Sequence, residues 1–203
     1  MPRNPSNPLM WVALAGAWFV LTGIGIASGV YTPPPQSPSL LLAAQLAIIA
    51  VVFGAALRWW PALRRATGRL DPALLTSLQA WRVLGMSFLF LWAFGVLPAA
   101  FALPAGLGDA AIGLAAPFVA ARVRGRRVGR AYVAFHLLGL ADFVLAFACG
   151  NYATMTLMPS GEVFPMLFWP LVIVPAAFVP AFTVAHMMAL QAGCRAARDA
   201  KNG

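Results

Sequence analysis

The chain has 203 residues, of which 62% are hydrophobic and 9% are charged, and its mean hydropathy is +0.82. Soluble globular domains carry about 25% charged residues, so this composition excludes a water-soluble core and predicts an integral membrane protein. The formal net charge of +9 reports topology in such a chain, because Lys and Arg collect in the loops on one side of the membrane. It gives no reason to expect a nucleic acid as partner.

Six apolar segments follow one another along the chain, and each is long enough to cross the hydrocarbon core of a bilayer, which takes about 20 helical residues. The sequence therefore predicts an all-α, polytopic bundle of six membrane-spanning helices in a single transmembrane domain over residues 1–203. The spans are expected at residues 9–30, 40–60, 73–97, 104–121, 131–150 and 163–191.

The third span has a clear predicted start. Asp71 can cap a helix, and Pro72 suits the first helical position. The apolar run that follows, of about 25 residues, is longer than the core of a bilayer needs, so its boundary can slide. Arg82 would then lie at the interface and extend its charged end towards water, or it would lie inside the bundle.

The charges predict the orientation. With six spans, the N-terminus, the second and fourth connecting segments and the tail share one side. They hold all fourteen Lys and Arg residues when Arg82 is counted at the interface. The positive-inside rule then predicts a multi-pass protein of the bacterial cytoplasmic (inner) membrane with both termini cytoplasmic. The densest run should also attract anionic lipids at that face, and it comprises Arg122, Arg124, Arg126, Arg127 and Arg130.

Two carboxylates are the first candidates for chemistry, because ionisable groups are costly in lipid and tend to face the interior. Asp109 ends the motif GLGD and Asp142 ends the motif GLAD. Their spans run antiparallel, an arrangement similar to the inverted repeats of transporters. Both are expected in the outer half of the membrane. If they face each other they cannot both ionise easily, which outlines a proton or cation site. Alternatively, each accepts hydrogen bonds from other helices or pairs with Arg82 and holds the bundle together.

Two histidines form a second candidate site at the other level. His136 and His186 are each expected about 8 Å inside the cytoplasmic boundary, at 1.5 Å per helical residue. Two imidazoles on different helices could be the axial ligands of a b-type haem, could bind a metal, or could simply be hydrogen-bonded. No CxxCH motif for covalent haem is present.

The last span has a proline at every fifth position, namely Pro165, Pro170, Pro175 and Pro180. An interior proline leaves the carbonyl four residues earlier without its helical partner. The carbonyls expected to be freed are those of Met166, Leu171 and Ala176. They would be oxygen ligands for an ion or polar solute if they faced a cavity, and otherwise neighbouring helices would satisfy them.

Patterns for hydrolytic enzymes, HExxH and GxSxG, are absent from the sequence, which favours a role other than catalysis. Cys149 and Cys194 fall near the ends of spans on opposite sides, so no disulfide between them is expected.

Four stretches are together similar to small bacterial six-helix integral membrane proteins of unassigned function. They are QAWRVLGMSFL (79–89), LPAGLGDAAIGL (103–114), LLGLADFVLA (137–146) and VAHMMAL (184–190). The resemblance covers most of residues 73–191. It implies the number of helices and brings no catalytic residue and no substrate.

From the residues we expect a transporter or channel for a small solute or ion, with protons as a candidate coupling ion. A homo-oligomer or membrane complex is expected, because six short spans enclose little interior. Two alternatives stay open: a b-type haem protein for membrane electron transfer, and a non-catalytic membrane subunit of a larger complex.

Overall fold

A computed structural model describes residues 8–124 and 128–202, with side chains described for 9–124 and 128–199. Within these ranges the chain is helical and contains no strand. Six helical segments are long and apolar enough to cross a membrane, as the sequence predicted. We number them as spans one to six: Leu9–Ala27, Leu40–Trp59, Pro72–Ala93, Ala99–Val123, Arg130–Thr156 and Val174–Asp199.

Most spans are single α-helices, but the third and sixth are composite. The α-helices are α1 (Pro8–Ala27), α2 (Leu40–Trp59), α3 (Pro61–Thr67), α4 (Pro72–Ser77), α5 (Ser87–Ala93), α6 (Ala99–Val123), α7 (Arg130–Thr156) and α8 (Val179–Asn202). In span three a 3₁₀-helix (Leu78–Met86) joins α4 to α5, and in span six a π-helical turn (Val174–Phe178) precedes α8. A short 3₁₀ turn (Pro165–Leu167) lies before span six.

The two ends of the bundle differ in charge. The connecting segments 28–39, 94–98 and 157–173 contain no Lys or Arg, and we call their side of the bundle the arginine-free end. The other connecting segments, 60–71 and 124–129, and the last turns of span six contain Arg64, Arg65, Arg69, Arg124, Arg126, Arg127, Arg195 and Arg198, and we call that side the arginine-rich end.

Span three begins where the sequence predicted. The Asp71 carboxylate accepts a hydrogen bond from the Ala73 N–H at 2.8 Å, and Pro72 occupies the first turn. Beyond α4 the chain tightens into the 3₁₀-helix, in which side chains three residues apart lie above one another. Six of the buried residues of the span follow that period of three, namely Ala73, Thr76, Gln79, Arg82, Gly85 and Phe88, while Leu75 is buried outside this row. This row of side chains packs mainly against span four.

Spans four and five are longer than predicted, which changes the depth of the two carboxylates. Asp109 lies ten residues after Ala99 and Asp142 lies fourteen residues before Thr156. At 1.5 Å per residue these separations are about 15 Å and 21 Å. The carboxylates therefore lie deeper in their helices than the shorter predicted spans implied. Both lie near the middle of their helices.

Span six begins later than predicted. Residues 163–173 do not form a continuous helix; they include the 3₁₀ turn and the irregular stretch around Pro170. A proline disfavours helical geometry at the residue before it, so Pro165 and Pro170 delay the helix to Val174. The segment 163–173 still packs against the protein, because Phe164 and Leu167 are buried in the core. It closes the arginine-free end of the bundle.

Spans three to six form the interior and spans one and two lie outside it. Only 6% of the residues in the apolar window of span one or span two are buried, against 44% in span four and 39% in span six. Large apolar side chains on the outer surface, such as Val12, Val51 and Phe118, are more than two-thirds exposed. Such a surface suits contact with lipid, and it leaves the polar residues enclosed by spans three to six.

Candidate functional site

Arg82 is the centre of a polar network in the interior, where its side chain is 1% exposed. Its Nε–H donates to Oδ1 of Asp109 at 2.7 Å, and its Nη2–H donates to Oδ2 of Asp142. Nη1–H donates to the Gly139 carbonyl at 3.0 Å. The guanidinium carbon lies 4.0 Å from the centre of the Phe143 ring. Arg82 is therefore not at the interface, and the alternative in which both carboxylates pair with it describes the structure.

Glycines make room for these carboxylates. A Cβ atom on Gly85 would overlap the Asp109 carboxylate, and one on Gly108 would overlap that of Asp142. Small residues allow helices to approach closely inside a membrane, and here the space holds a charged group. The glycines of the GLGD and GLAD motifs differ in their neighbours, since a Cβ on Gly106 would meet Leu89 and one on Gly139 would overlap the His186 ring.

The two histidines belong to the same network. Nη1 of Arg82 lies 3.3 Å from Nε2 of His186, and the Nδ1 atoms of His186 and His136 are 2.7 Å apart. Nε2 of His136 lies 3.2 Å from the Thr76 hydroxyl, which donates to the Pro72 carbonyl at 2.7 Å. Both histidines and Thr76 are fully buried.

Arginine has donors only, and this assigns the proton positions along the chain. His186 must accept at Nε2 and so is neutral, with its proton on Nδ1. His136 then accepts at Nδ1 and donates from Nε2 to Thr76. Each bond in the series has one donor and one acceptor, so the whole series is satisfied in a single arrangement of protons.

The carboxylates and histidines thus form one connected site, where the sequence predicted two at different depths. The two groups are joined because Arg82 lies between them and contacts both carboxylates and His186. Sequence reasoning also missed Thr76. The small and polar residues spaced by three in span three, from Ala73 to Gly85, were the signal that could have placed it on the same face as Arg82.

The pair of histidines does not fit a bis-histidine haem in this arrangement. A metal between two imidazole nitrogens requires about 2 Å on each side, whereas the two Nδ1 atoms are 2.7 Å apart and both Nε2 atoms have hydrogen-bond partners. Across the described part of the chain, no group of three His, Cys, Asp or Glu side chains is arranged to hold a metal ion.

A cavity of about 60 Å³ adjoins the carboxylates on their arginine-free side. Asp109 and Asp142 are its charged lining residues, and Ser39 and Asn151 line it nearer the end of the bundle. The rest of the lining is apolar and includes five phenylalanines: Phe88, Phe101, Phe143, Phe147 and Phe164. The carboxylates retain 16% and 11% of their side-chain exposure, so this cavity is the space from which a ligand can reach them.

Two of the three predicted proline-freed carbonyls, those of Leu171 and Ala176, have partners within the protein. The Ala176 carbonyl accepts from Nε2 of Gln45 at 2.7 Å, and the Leu171 carbonyl accepts from the Val174 N–H at 3.0 Å. Gln45 in turn accepts from the Tyr31 hydroxyl at 2.7 Å, and burial raises the pKa of that hydroxyl. Of these three residues, Met166 alone lines the cavity.

Gln79 stands apart from the network although it lies on the same face of span three as Arg82. Its side chain is fully buried, and neither amide atom has a hydrogen-bond partner among the described residues. A buried amide without a hydrogen-bond partner lowers the stability of the folded protein by about 1–3 kcal/mol. Gln79 differs in this respect from the residues of the network, whose polar side chains are hydrogen-bonded.

Six apolar helices around a buried ion-pair network are consistent with the class of multi-pass integral membrane proteins. Within that class, the chain belongs to the family described as "Domain of unknown function (DUF8737)", whose model matches residues 39–192. The match includes every residue of the network and of the cavity lining. Comparison with curated proteins and with solved structures found no match.

Proposed function

We propose that this protein is a transporter or channel for a small solute or ion, and that Asp109 and Asp142 form its proton or cation site. The observation that supports this most directly is the sharing of one guanidinium by two carboxylates beside a cavity inside the bundle. When both carboxylates are ionised, two acids and one base leave the buried site with an excess of negative charge. This excess would attract a cation.

The charge of the site follows from the contacts. Arg82 carries one positive charge and is effectively always protonated, and His186 is neutral because its Nε2 accepts from Arg82. With both carboxylates ionised the site has a net charge of −1. An uncompensated charge in a membrane interior is costly, so binding one proton or one monovalent cation stabilises the site.

Arg82 also explains how the site could release what it binds. A proton on Asp109 or Asp142 weakens the ion pair of that carboxylate and leaves Arg82 bonded to the other. Because the guanidinium cannot give up its own proton, it remains a constant countercharge. The bound proton or cation is therefore held by an excess of one charge only, which suits reversible binding.

The orientation and setting are part of the proposal. We place the arginine-rich end in the cytoplasm of a bacterial cell, with anionic lipids against it, because of the positive-inside rule. Arg122, Arg124 and Arg130 are exposed at that end, while Arg126 and Arg127 of the same run lie outside the described residues. A homo-oligomer or larger membrane complex remains part of the proposal because the bundle itself is small.

The test is a flux measurement in proteoliposomes that enclose a pH-sensitive dye, with an imposed pH gradient and a potassium diffusion potential. We expect the Asp109→Asn and Asp142→Asn variants to lose at least tenfold of the proton flux of the unmodified protein. The matched control is Asp199→Asn, because Asp199 is exposed and forms its ion pair at the surface. Unchanged flux in both site variants would remove the carboxylates from the mechanism.

If the unmodified protein carries no flux and instead co-purifies with another membrane protein in fixed ratio, the role of a non-catalytic subunit replaces this proposal. The haem alternative has its own measurement: a Soret band in the purified protein would require the two histidines to separate from each other.

A further inference from the structure

We infer that the cavity beside Asp109 and Asp142 binds a small organic cation, on the basis of its phenylalanine walls, its two carboxylates and its size. This inference rests on the proposed function for its physiological meaning, since it names the class of solute that the transporter would carry. Binding itself can be measured without transport.

Size sets the first limit on the ligand. A cavity needs about 10–15 Å³ to hold one water molecule, and this cavity has a volume of about 60 Å³. It therefore accommodates about four to six non-hydrogen atoms. Guanidinium, ethylammonium and tetramethylammonium are near this size, whereas nucleotides and sugars are far too large.

The walls favour a cation over a neutral solute. The face of a phenyl ring attracts positive charge, and aromatic cages are the usual recognition sites for quaternary ammonium groups. One wall ring already does this within the protein, since Phe143 stacks on the Arg82 guanidinium at 4.0 Å. Three other rings are fixed against one another, with Phe101 lying 5.6 Å from Phe88 and 5.1 Å from Phe164 between centres. Contacts between these rings thus hold them in place before a ligand enters.

The shortage of oxygen atoms favours an organic cation over a metal ion. Hard cations such as Mg²⁺ and Ca²⁺ take six or more oxygen ligands. The polar side chains among the lining residues of the cavity are those of Asp109, Asp142, Ser39 and Asn151, and three of these are already engaged. Arg82 takes one oxygen of each carboxylate, and the Asn151 side-chain oxygen accepts from the Ser39 N–H. Too few oxygens remain to replace the hydration shell of an inorganic ion, whereas an alkylammonium needs only charge balance and apolar contact.

The experiment is calorimetric titration of the purified full-length protein in detergent with tetramethylammonium, guanidinium, potassium and tert-butanol. Tert-butanol and tetramethylammonium contain the same number of non-hydrogen atoms, so their comparison isolates charge at constant size. We expect at least one organic cation to bind at least tenfold more tightly than tert-butanol and than potassium.

Two variants locate the site. Phe164→Leu should weaken cation binding by about tenfold, the effect of losing one desolvated cation–π contact. Phe118→Leu is its control, because Phe118 is 68% exposed and lies away from the cavity. Asp142→Asn should weaken binding further, with Asp199→Asn as control. A monodisperse elution profile shows that each variant is folded, and the comparison of ligands on the unmodified protein does not depend on any variant.

The outcomes separate this inference from the proposed function. Proton flux that depends on Asp109 and Asp142, together with no binding of any organic cation, overturns the inference and leaves the function standing. Equal affinity for potassium or for tert-butanol also overturns it. Cation binding that is sensitive to Phe164, in a protein without flux, supports the inference and contradicts transport.

Discussion

Arg82 is the residue on which the interior of this protein depends. Four of the five N–H groups that a guanidinium offers have named acceptors, which are Asp109, Asp142, the Gly139 carbonyl and His186. A charge buried this far from water is tolerated because these four groups accept the hydrogen bonds that water would otherwise accept. Removal of the arginine therefore leaves two carboxylates and a histidine without their shared donor.

Replacing Arg82 by Met should destabilise the protein by about 3–5 kcal/mol, the usual cost of removing one partner of a buried ion pair. The triple variant Arg82→Met, Asp109→Asn, Asp142→Asn should recover a large part of the loss, because it leaves no unpaired charge. The measurement is the midpoint of thermal unfolding in detergent. A single variant as stable as the unmodified protein would show that Arg82 is not the hub of the network.

The glycines beside the carboxylates can be tested in the same way. Gly108→Ala places a methyl group where the Asp142 carboxylate lies, and such overpacking costs about 1–3 kcal/mol. Gly23→Ala is the matched control, since a Cβ there meets nothing within 4 Å and alanine favours a helix by about 1 kcal/mol over glycine. We expect a lower unfolding midpoint for the first variant and an unchanged or higher one for the second.

Gln79 offers a test in which the sign of the effect is informative. If its amide is unpaired in the folded protein, Gln79→Met should raise stability by about 1–3 kcal/mol, because the desolvation cost of the amide disappears. The comparison is made by thermal unfolding with and without the organic cations named above. A lower midpoint for the variant would mean that the amide is bound to a group outside the described chain, such as an ordered water.

At the scale of elements, the helix ends determine what the sequence could and could not predict. The capped start of span three follows from Asp71 and Pro72, whose effect on the backbone is local. The meeting of Arg82 with Asp109 and Asp142 is not local, because it depends on where three helices begin. Shifting one helix end by five residues moves a side chain by about 7.5 Å. Errors of that size in the predicted ends of spans four and five placed groups apart in the prediction that are in contact in the structure.

The 3₁₀-helix in span three could not be predicted from the sequence, for a different reason. Its nine residues have ordinary propensities, and what favours the tighter winding is the row of small or polar residues that it turns towards span four. Gly113 lets the backbone of that span approach Val83 closely, since a Cβ there would overlap the Val83 backbone. The favoured helix type is thus a property of the packed pair and not of the segment alone.

Span six allows a prediction at this scale. The Ala176 carbonyl was expected to lose its helical partner to Pro180, and Gln45 supplies a donor instead. Gln45→Leu should therefore cost about 1–3 kcal/mol. In a Pro180→Ala background the restored N–H can take over, so the same substitution should cost less. The coupling energy from this double-mutant cycle is the measurement, and a coupling of zero would mean that the two residues act independently.

At the scale of the whole molecule, the number of membrane-spanning helices could be predicted because it depends on composition over about 20 residues at a time. The division into an enclosed part and a peripheral part was not predicted, although spans one and two are the most apolar of the six, with a mean hydropathy of 2.0 and 2.6 against 1.3–1.9 for the others. Their exposure arises from packing. Spans three to six carry small or polar side chains at close intervals, so these four spans can approach one another.

The orientation can be tested with the cysteines. In a Cys149→Ala background, Cys194 is the remaining native thiol; it is exposed and lies in α8 towards the arginine-rich end. We expect a membrane-impermeant maleimide to label it in intact cells only after permeabilisation. A thiol introduced as Glu162→Cys, in a background without both native cysteines, should be labelled without permeabilisation. The reverse pattern would contradict the proposed orientation.

The series of hydrogen bonds from Arg82 through His186 and His136 to Thr76 has a consequence for proton leakage. A chain can relay protons only if it can reset with every donor and acceptor exchanged, and a chain that begins at a guanidinium cannot reset, because arginine has no acceptor. While Arg82 stays in place, the histidines therefore cannot relay protons between the carboxylates and the arginine-rich end. In the proposed transporter, a proton bound at Asp109 or Asp142 would therefore leave by way of the cavity and would not leak through the histidines to the arginine-rich end.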